Sequence, residues 1–256
     1  MDQIQLATTT AVPARKLPLN TGHYDASPRP LFDRSKRCFD IVFSASVLLL
    51  TAPFSLLVAL AIWLESGGPI LFRQQRVGKN GRLFWIYKFR SMYPETPKYA
   101  ITPTNDECDP RVTRVGRLLR KSGLDELPQF WCVLRGDMSV VGPRPEMPFI
   151  VEAYTPRARR RLRVLPGITG PWQISPHRHE PIHENLHYDL YYLAHRSLQL
   201  DLVLIVRTAV LAFLALYRGL AHRIANRLRR ITGYVIPTAV SSGVTTSADS
   251  PRKLAG

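Results

Sequence analysis

Acidic side chains are scarce in this chain. Its 256 residues hold 19 aspartates and glutamates against 35 lysines and arginines, for a formal charge of +16. That balance excludes a surface built for cationic partners and calls for anionic ones: nucleic acid, anionic lipid or a phosphorylated substrate. Lysine is scarce too. By count, 28 of the cations are arginines and 7 are lysines, and the planar guanidinium fork suits phosphate and carboxylate. Cysteine occurs only at Cys38, Cys108 and Cys132. Three widely spaced thiols exclude a disulfide framework and a cysteine-only zinc site, and favour a reducing compartment. No G-x-G-x-x-G occurs, and Gly78-Lys79-Asn80-Gly81 is not a Walker loop, so the standard nucleotide-binding fingerprints are missing. There is no internal repeat. Apolar residues make up 45%, which excludes global disorder.

One stretch lacks charge altogether. Ile41 to Leu64 is an uncharged, strongly apolar run, long enough as a helix to cross a hydrocarbon core of about 30 Å. It starts too late, and is too long, for a signal peptide. Pro53 sits at its middle and predicts a kink. Cations flank both ends: Arg34, Lys36 and Arg37 before it, and Arg73, Arg76, Lys79 and Arg82 after it. Positive residues favour the cytoplasmic side. An ordinary kinked span puts one cluster outside; a helix–break–helix hairpin keeps both inside. Both readings stand at this point. Leu202 to Tyr217 is shorter, carries Arg207, and reads as an amphipathic helix against the bilayer or the core.

The remainder divides by pattern into a Thr/Pro/Ala-rich tail over 1–33, the apolar segment over 34–66, a globular body over 67–218 and a basic tail over 219–256 that is expected to be largely disordered. Residues 69–92 alternate like a β-hairpin around the Gly78–Gly81 turn. Residues 111–121 read as a helix with Val112, Val115, Leu118 and Leu119 on one face and arginines on the other. A second helix is expected from about Asp125 to a C′ glycine at Gly136. Residues 157–163 form a basic run that reads as solvated or lipid-facing.

Adjacent carboxylates at Asp125 and Glu126 stand out in so basic a chain. Near a helix start an aspartate stays ionised, with Arg117, Arg120 and Lys121 just upstream. Such a group is a capping acid, a nucleophile toward phosphorus or a metal ligand. Gly142-Pro143-Arg144-Pro145 presents Arg144 on a stiff loop, either an ordinary rigid turn or a grip for phosphate. His183 and His187 have helical i, i+4 spacing, but no Cys, Asp or Glu in a standard pattern completes a zinc site.

Several blocks, in order, make the chain resemble the bacterial sugar transferases, the small monotopic phosphoglycosyl transferases, over about Lys36 to Leu216. They are Lys36-Arg37-Cys38-Phe39-Asp40; Phe72 to Gly78; Tyr87-Lys88-Phe89-Arg90-Ser91-Met92; Leu124-Asp125-Glu126-Leu127-Pro128-Gln129; Arg135 to Pro145; Pro166 to Gly170; and Asp189 through Asp201. The resemblance implies an α+β, mainly helical, membrane-associated (monotopic) protein. Its apolar segment is then a re-entrant hairpin broken at Pro53, joined to a short β-hairpin and amphipathic interfacial helices. It implies transfer of a sugar-1-phosphate from a UDP-sugar to a polyprenyl phosphate such as undecaprenyl phosphate. UMP is released through a covalent aspartyl intermediate, at the start of polysaccharide or glycoconjugate synthesis. By the same resemblance Asp125 and Glu126 are the catalytic dyad and hold Mg²⁺, while Lys88, Arg120, Arg144 and Asp201 serve the substrate. The expected setting is the cytoplasmic face of a bacterial inner membrane, with the bilayer as partner and no nucleic acid; a homo-oligomer is left open.

Three positions depart from the family pattern: Ala52 replaces a serine before Pro53, Gly123 a serine before the dyad, and Leu165 an arginine before Pro166-Gly167. The rival reading is a membrane-tethered binder of nucleic acid or anionic lipid. Charge alone permits it, but it gives the dyad no task.

Overall fold

A computed structural model describes residues 29–97, 108–178 and 180–232. The elements run α1 (Pro30–Ser66), β1 (Leu71–Val77), β2 (Leu83–Phe89), α2 (Arg114–Ser122), α3 (Gln129–Arg135), β3 (Ser139–Val141), α4 (Pro148–Glu152), α5 (Pro156–Arg159), β4 (Gly167–Thr169), α6 (His187–His195) and α7 (Leu198–Thr232). Short 3₁₀ turns join several of them. Most of the N-terminal tail, and residues 233–256 of the C-terminal one, lie outside the described residues, as does His179.

The β-hairpin forms as its alternation predicts. β1 and β2 pair antiparallel from Leu71↔Phe89 to Val77↔Leu83, and Asn80 turns the corner at a positive φ. Phe84, Ile86 and Phe89 of β2 are buried. The first two pack with Cys132, Val133, Met138, Val140, Val141, Tyr192 and Leu204 in the main core. A second sheet was not expected. β3 and β4 are three-residue strands pairing parallel, Ser139↔Gly167 and Val141↔Thr169. Their approach requires glycine: a Cβ on Gly142 would lie 2.4 Å from the Leu165 carbonyl oxygen, and one on Gly167 would lie 2.0 Å from the Gly142 nitrogen.

α1 is continuous from Pro30 to Ser66 with Pro53 inside it, so a turn-back at Pro53 would be a bend within one helix rather than a break between two. Proline removes one donor, the partner of the carbonyl four residues back, and the turns on either side keep their own bonds. The Thr51 hydroxyl donates to the Val47 carbonyl (2.7 Å), a back-bond of the kind that bends helices, one residue from the serine position that Ala52 leaves empty.

Both ends of α1 pack on the same body. In its first half Arg37 donates to the carbonyls of Val133 (2.6 Å) and Leu134 (2.7 Å), the C-terminal end of α3, and Asp40 accepts from the Val140 amide (3.0 Å). In its second half Val58 and Ile62 pack with Phe89 and Leu119, and the Glu65 carboxylate accepts from the Arg114 and Val115 amides (2.7 and 2.9 Å) at the start of α2. Between these anchors Leu49, Leu50, Phe54, Leu56 and Leu57 are exposed. α7 also exposes an apolar face, including Leu202, Val206, Val210 and Phe213. Each of these two helices contains a segment long and apolar enough to cross a membrane.

Candidate active site

Helix α2 ends on Gly123, which adopts the left-handed conformation at φ 72°. A Cβ there would meet nothing within 4 Å. Backbone freedom, not space, is therefore what glycine supplies where the family pattern has serine. The reversal throws the chain into a 3₁₀ turn, Leu124–Glu126, which carries the dyad. The expected helix start at Asp125 is thus displaced. α3 begins only at Gln129, because Pro128 takes the position before it, and it ends on the predicted Gly136.

Asp125 is 8% exposed and lines a cavity of about 490 Å³ with Arg73, Arg76, Lys88, Arg90 and Arg120. Among the described residues, five cations and one carboxylate therefore line it. Lys88 reaches across from β2. Its Nζ lies 2.5 Å from Glu126 Oε1 and 3.9 Å from Asp125 Oδ2. Arg144 approaches from the other side, with Nη1 3.7 Å from the same Glu126 oxygen and its guanidinium 5.9 Å from the centre of the Trp172 ring.

The two carboxyls are driven apart. Burial pushes Asp125 up to about 6; the Glu126 charge reinforces that push, while Lys88, Arg120 and Arg144 oppose it. Burial acts on Glu126 in the same direction, but Lys88 and Arg144 outweigh it and hold Glu126 well below its ordinary value. Titratable neighbours separated in this way take different roles. Glu126 is the permanently ionised partner of the cations, and Asp125 is the carboxylate whose charge is least compensated.

Of the residues singled out in the sequence, Lys88, Arg120, Arg144, Asp125 and Glu126 come together here. Asp201 does not. It is buried away from the cavity lining, accepting from Lys36 (2.6 Å) and from the Tyr192 hydroxyl (2.8 Å). Its carboxylate fastens the root of α1 to α7. Leu165 also lies elsewhere, in a separate cleft with Lys79, Arg82 and Asp137, so its departure from the pattern does not alter the dyad cavity. Among the described residues no group of three or more His, Cys, Asp or Glu is placed to hold a metal.

Sequence reasoning missed Arg161. The run Arg157–Arg163 is not uniformly solvated: Arg161 is 2% exposed. Its Nε donates to Asp189 (2.7 Å), Nη1 to the Tyr154 hydroxyl (2.5 Å) and Nη2 to the Arg144 carbonyl (2.7 Å). The Pro143-Arg144-Pro145 loop is thereby bolted to a buried ion pair. Leu162, buried beside it with Ala158, shows that this turn packs inward.

The family described as "Bacterial sugar transferase" matches residues 32–215 of the chain. An undecaprenyl-phosphate glucose phosphotransferase of Komagataeibacter xylinus is 44% identical over 185 residues, covering 68% of this chain and 35% of that protein. A UDP-N-acetylgalactosamine-undecaprenyl-phosphate N-acetylgalactosaminephosphotransferase of Aeromonas hydrophila is 40% identical over 188 residues, 71% of this chain and 44% of its own length. The exopolysaccharide production protein ExoY of Rhizobium meliloti (strain 1021) is 37% identical over 216 residues, 79% of this chain and 94% of its own length. The chain thus spans less than half of the two phosphotransferases and nearly all of ExoY. With the match running from the first turn of α1 into α7 and enclosing the whole dyad cavity, the chain belongs to the bacterial sugar transferase family.

Proposed function

We propose that this protein transfers a sugar-1-phosphate from a UDP-sugar to a polyprenyl phosphate, releasing UMP, through a covalent intermediate on Asp125. One observation carries the reading: a single buried carboxylate lines a cavity otherwise rich in arginine and lysine. Five cations suit phosphate oxygens, and one carboxylate among them suits attack on phosphorus. The names of the relatives supply the acceptor and the sugar-phosphate class.

In the first step a carboxylate oxygen of Asp125 forms a bond to the β-phosphorus of the donor. The bond from that phosphorus to the bridging oxygen breaks, and UMP leaves with the electron pair. In the second step a phosphate oxygen of the lipid attacks the same phosphorus and the Asp125 carboxylate is regenerated. Lys88 and Arg144 hold Glu126, and with it the turn on which Asp125 stands. Arg120 and Arg144 stabilise the charge on the phosphoryl oxygens.

Mg²⁺ fits the donor set. Asp125 and Glu126 offer adjacent hard oxygens, and this ion is held by one or two carboxylates together with substrate phosphates. When bound there it would neutralise phosphate charge; the histidines have no part in such a site.

The two-ended docking of α1 supports the re-entrant reading. A spanning helix would carry its ends to opposite faces of the bilayer, whereas here Arg37 and Glu65 both bond to one body. We place that body on the cytoplasmic face, where cations at both ends of the apolar run belong.

The test is donor alone. With a UDP-sugar labelled in the sugar and no lipid, label should stay on the wild-type protein and be absent from Asp125→Asn. Absence of label on wild type under rapid quench, with kinetics requiring both substrates bound together, would replace the covalent route by direct transfer.

A further inference from the structure

The cavity wall includes a buried cation, Arg90, with no carboxylate in contact with it among the described residues. Arg90 follows Lys88 by two residues, leaves β2 at its end, and is 5% exposed. Only its Nη2 is engaged: it donates to the Ser66 carbonyl (3.1 Å), the Ser66 hydroxyl (2.7 Å) and the Gly67 carbonyl (2.6 Å), at the C-terminal end of α1. Nε and Nη1 are buried and have no partner. No carboxylate pairs with Arg90 among the described residues; Glu95, across the cavity-lining turn, acts on it only at longer range.

The more deeply buried Arg161 is matched. Arg161 has Asp189, the Tyr154 hydroxyl and a carbonyl for its three nitrogens. A buried guanidinium with two idle donors is costly unless an anion joins it. Arg90 lines the same cavity as Lys88, Arg120 and Asp125, so an anion bound there has Arg90 in its wall. The position of Arg90 also discriminates between the two anionic substrates. Its engaged nitrogen grips the last residues of the apolar helix, and the neighbouring wall is Pro69, Leu71, Phe72 and Phe89. Phe89 packs on Val58 and Ile62 of α1. This is the apolar side of the cavity, continuous with the helix proposed to enter the membrane.

We propose that Arg90 binds a phosphate oxygen of the lipid acceptor through one of the donors the protein leaves unpartnered, Nε or Nη1, and so forms an acceptor subsite distinct from the grip of Arg120 and Arg144 on the donor. The assignment rests on the proposed function above. Its consequence is a division of labour within one cavity, with the lipid phosphate seated where the membrane helix ends and the dyad between it and the donor.

The test is equilibrium binding by calorimetry to the full chain in detergent, with farnesyl phosphate and UDP as separate probes. Arg90→Gln should weaken farnesyl phosphate by about tenfold or more, the scale of a lost charge-assisted hydrogen bond, and leave UDP within about threefold. Arg90→Lys, which keeps the charge but not the fork, should recover part of the loss. A second measurement needs no variant to fold: in the wild-type chain the Arg90 Nε–H resonance should shift with farnesyl phosphate and stay in place with UDP. Wild type that binds both probes, with Arg90→Gln unchanged toward farnesyl phosphate, overturns the assignment alone. Equal losses for both probes also overturn it, by putting the donor diphosphate at Arg90. Wild type that binds neither probe overturns the proposed function, and the acceptor subsite with it.

Discussion

Two clusters of buried charge lie on either side of Arg144, and they are built differently. Around Arg161 every nitrogen of the guanidinium has an acceptor, and the cluster is closed to the cavity that Asp125 lines. Around the dyad the pairing is lopsided. Glu126 takes the close contacts with Lys88 and Arg144, while Asp125, next to it in the chain, has Lys88 at the longer distance of 3.9 Å and feels Arg120 and Arg144 from farther away. Matched charge holds a loop in place; mismatched charge is left facing the cavity. The contrast separates scaffold from chemistry without reference to any relative.

The largest effect that would break this comparison is at Asp125. Asp125→Asn keeps the shape and removes the proposed nucleophile, and turnover should fall on the order of a thousandfold or more, as for a member of a nucleophilic set. A variant within tenfold of wild type would move the chemistry to another group. At Arg161 the primary loss should be stability. Arg161→Ala strands Asp189 in the interior and should cost about 3–5 kcal/mol in denaturant unfolding. Adding Asp189→Asn should return part of that, because the stranded charge disappears. Equal destabilisation by single and double variants would show that the pair is not coupled.

The pH profile sharpens the contrast further. As the proposed nucleophile, the raised Asp125 would have to lose its proton before attack, so kcat/KM should fall about tenfold per pH unit below the value near 6 that burial imposes. The limb belongs to the coupled pair rather than to one carboxyl. The sign for stability is the reverse. A carboxyl raised in the folded state binds its proton more tightly there, so the Asp125 contribution to stability is greatest in acid and is lost as pH rises through 6. An acid limb near 4 would show that Asp125 is not desolvated in solution. The smallest expected effect is Tyr154→Phe, which removes one acceptor of Arg161 and should cost about 1 kcal/mol while leaving the Arg144 contact in place. Burial holds the Tyr154 hydroxyl protonated, up to about 12, so this loss should not vary across neutral pH.

How much of this was legible in the sequence depended on pattern length. The hairpin was, because Leu83 to Phe89 alternates over seven residues around a turn of glycines. The dyad was, because adjacent acids are conspicuous in a chain of +16 charge. β3 and β4 were not: three residues cannot show a period, and Ser139, Val140 and Val141 are buried on both faces. Arg161 was hidden by its neighbours, since one inward arginine among five cations leaves no compositional trace. The helical face over 111–121 was partly misread, because Leu118, grouped there with Leu119, is exposed while Leu119 is buried. The single apolar run suggested membrane contact, but its ends revealed their common anchorage only when Arg37 and Glu65 met their partners across the fold.

That anchorage sets a height. The dyad turn joins α2 to α3, and a different end of α1 holds each of those helices: Glu65 the start of α2, Arg37 the end of α3. Asp125 is therefore suspended at a distance from the apolar segment that the protein alone determines. In the membrane reading, α1 acts as a depth gauge. A lipid phosphate has to ride at the level of the dyad to be reached, and a chain that sinks or lifts by one helical turn, about 5 Å, carries the nucleophile past it. Bilayer thickness and headgroup packing then become variables of the reaction, acting on turnover without touching a single side chain of the cavity.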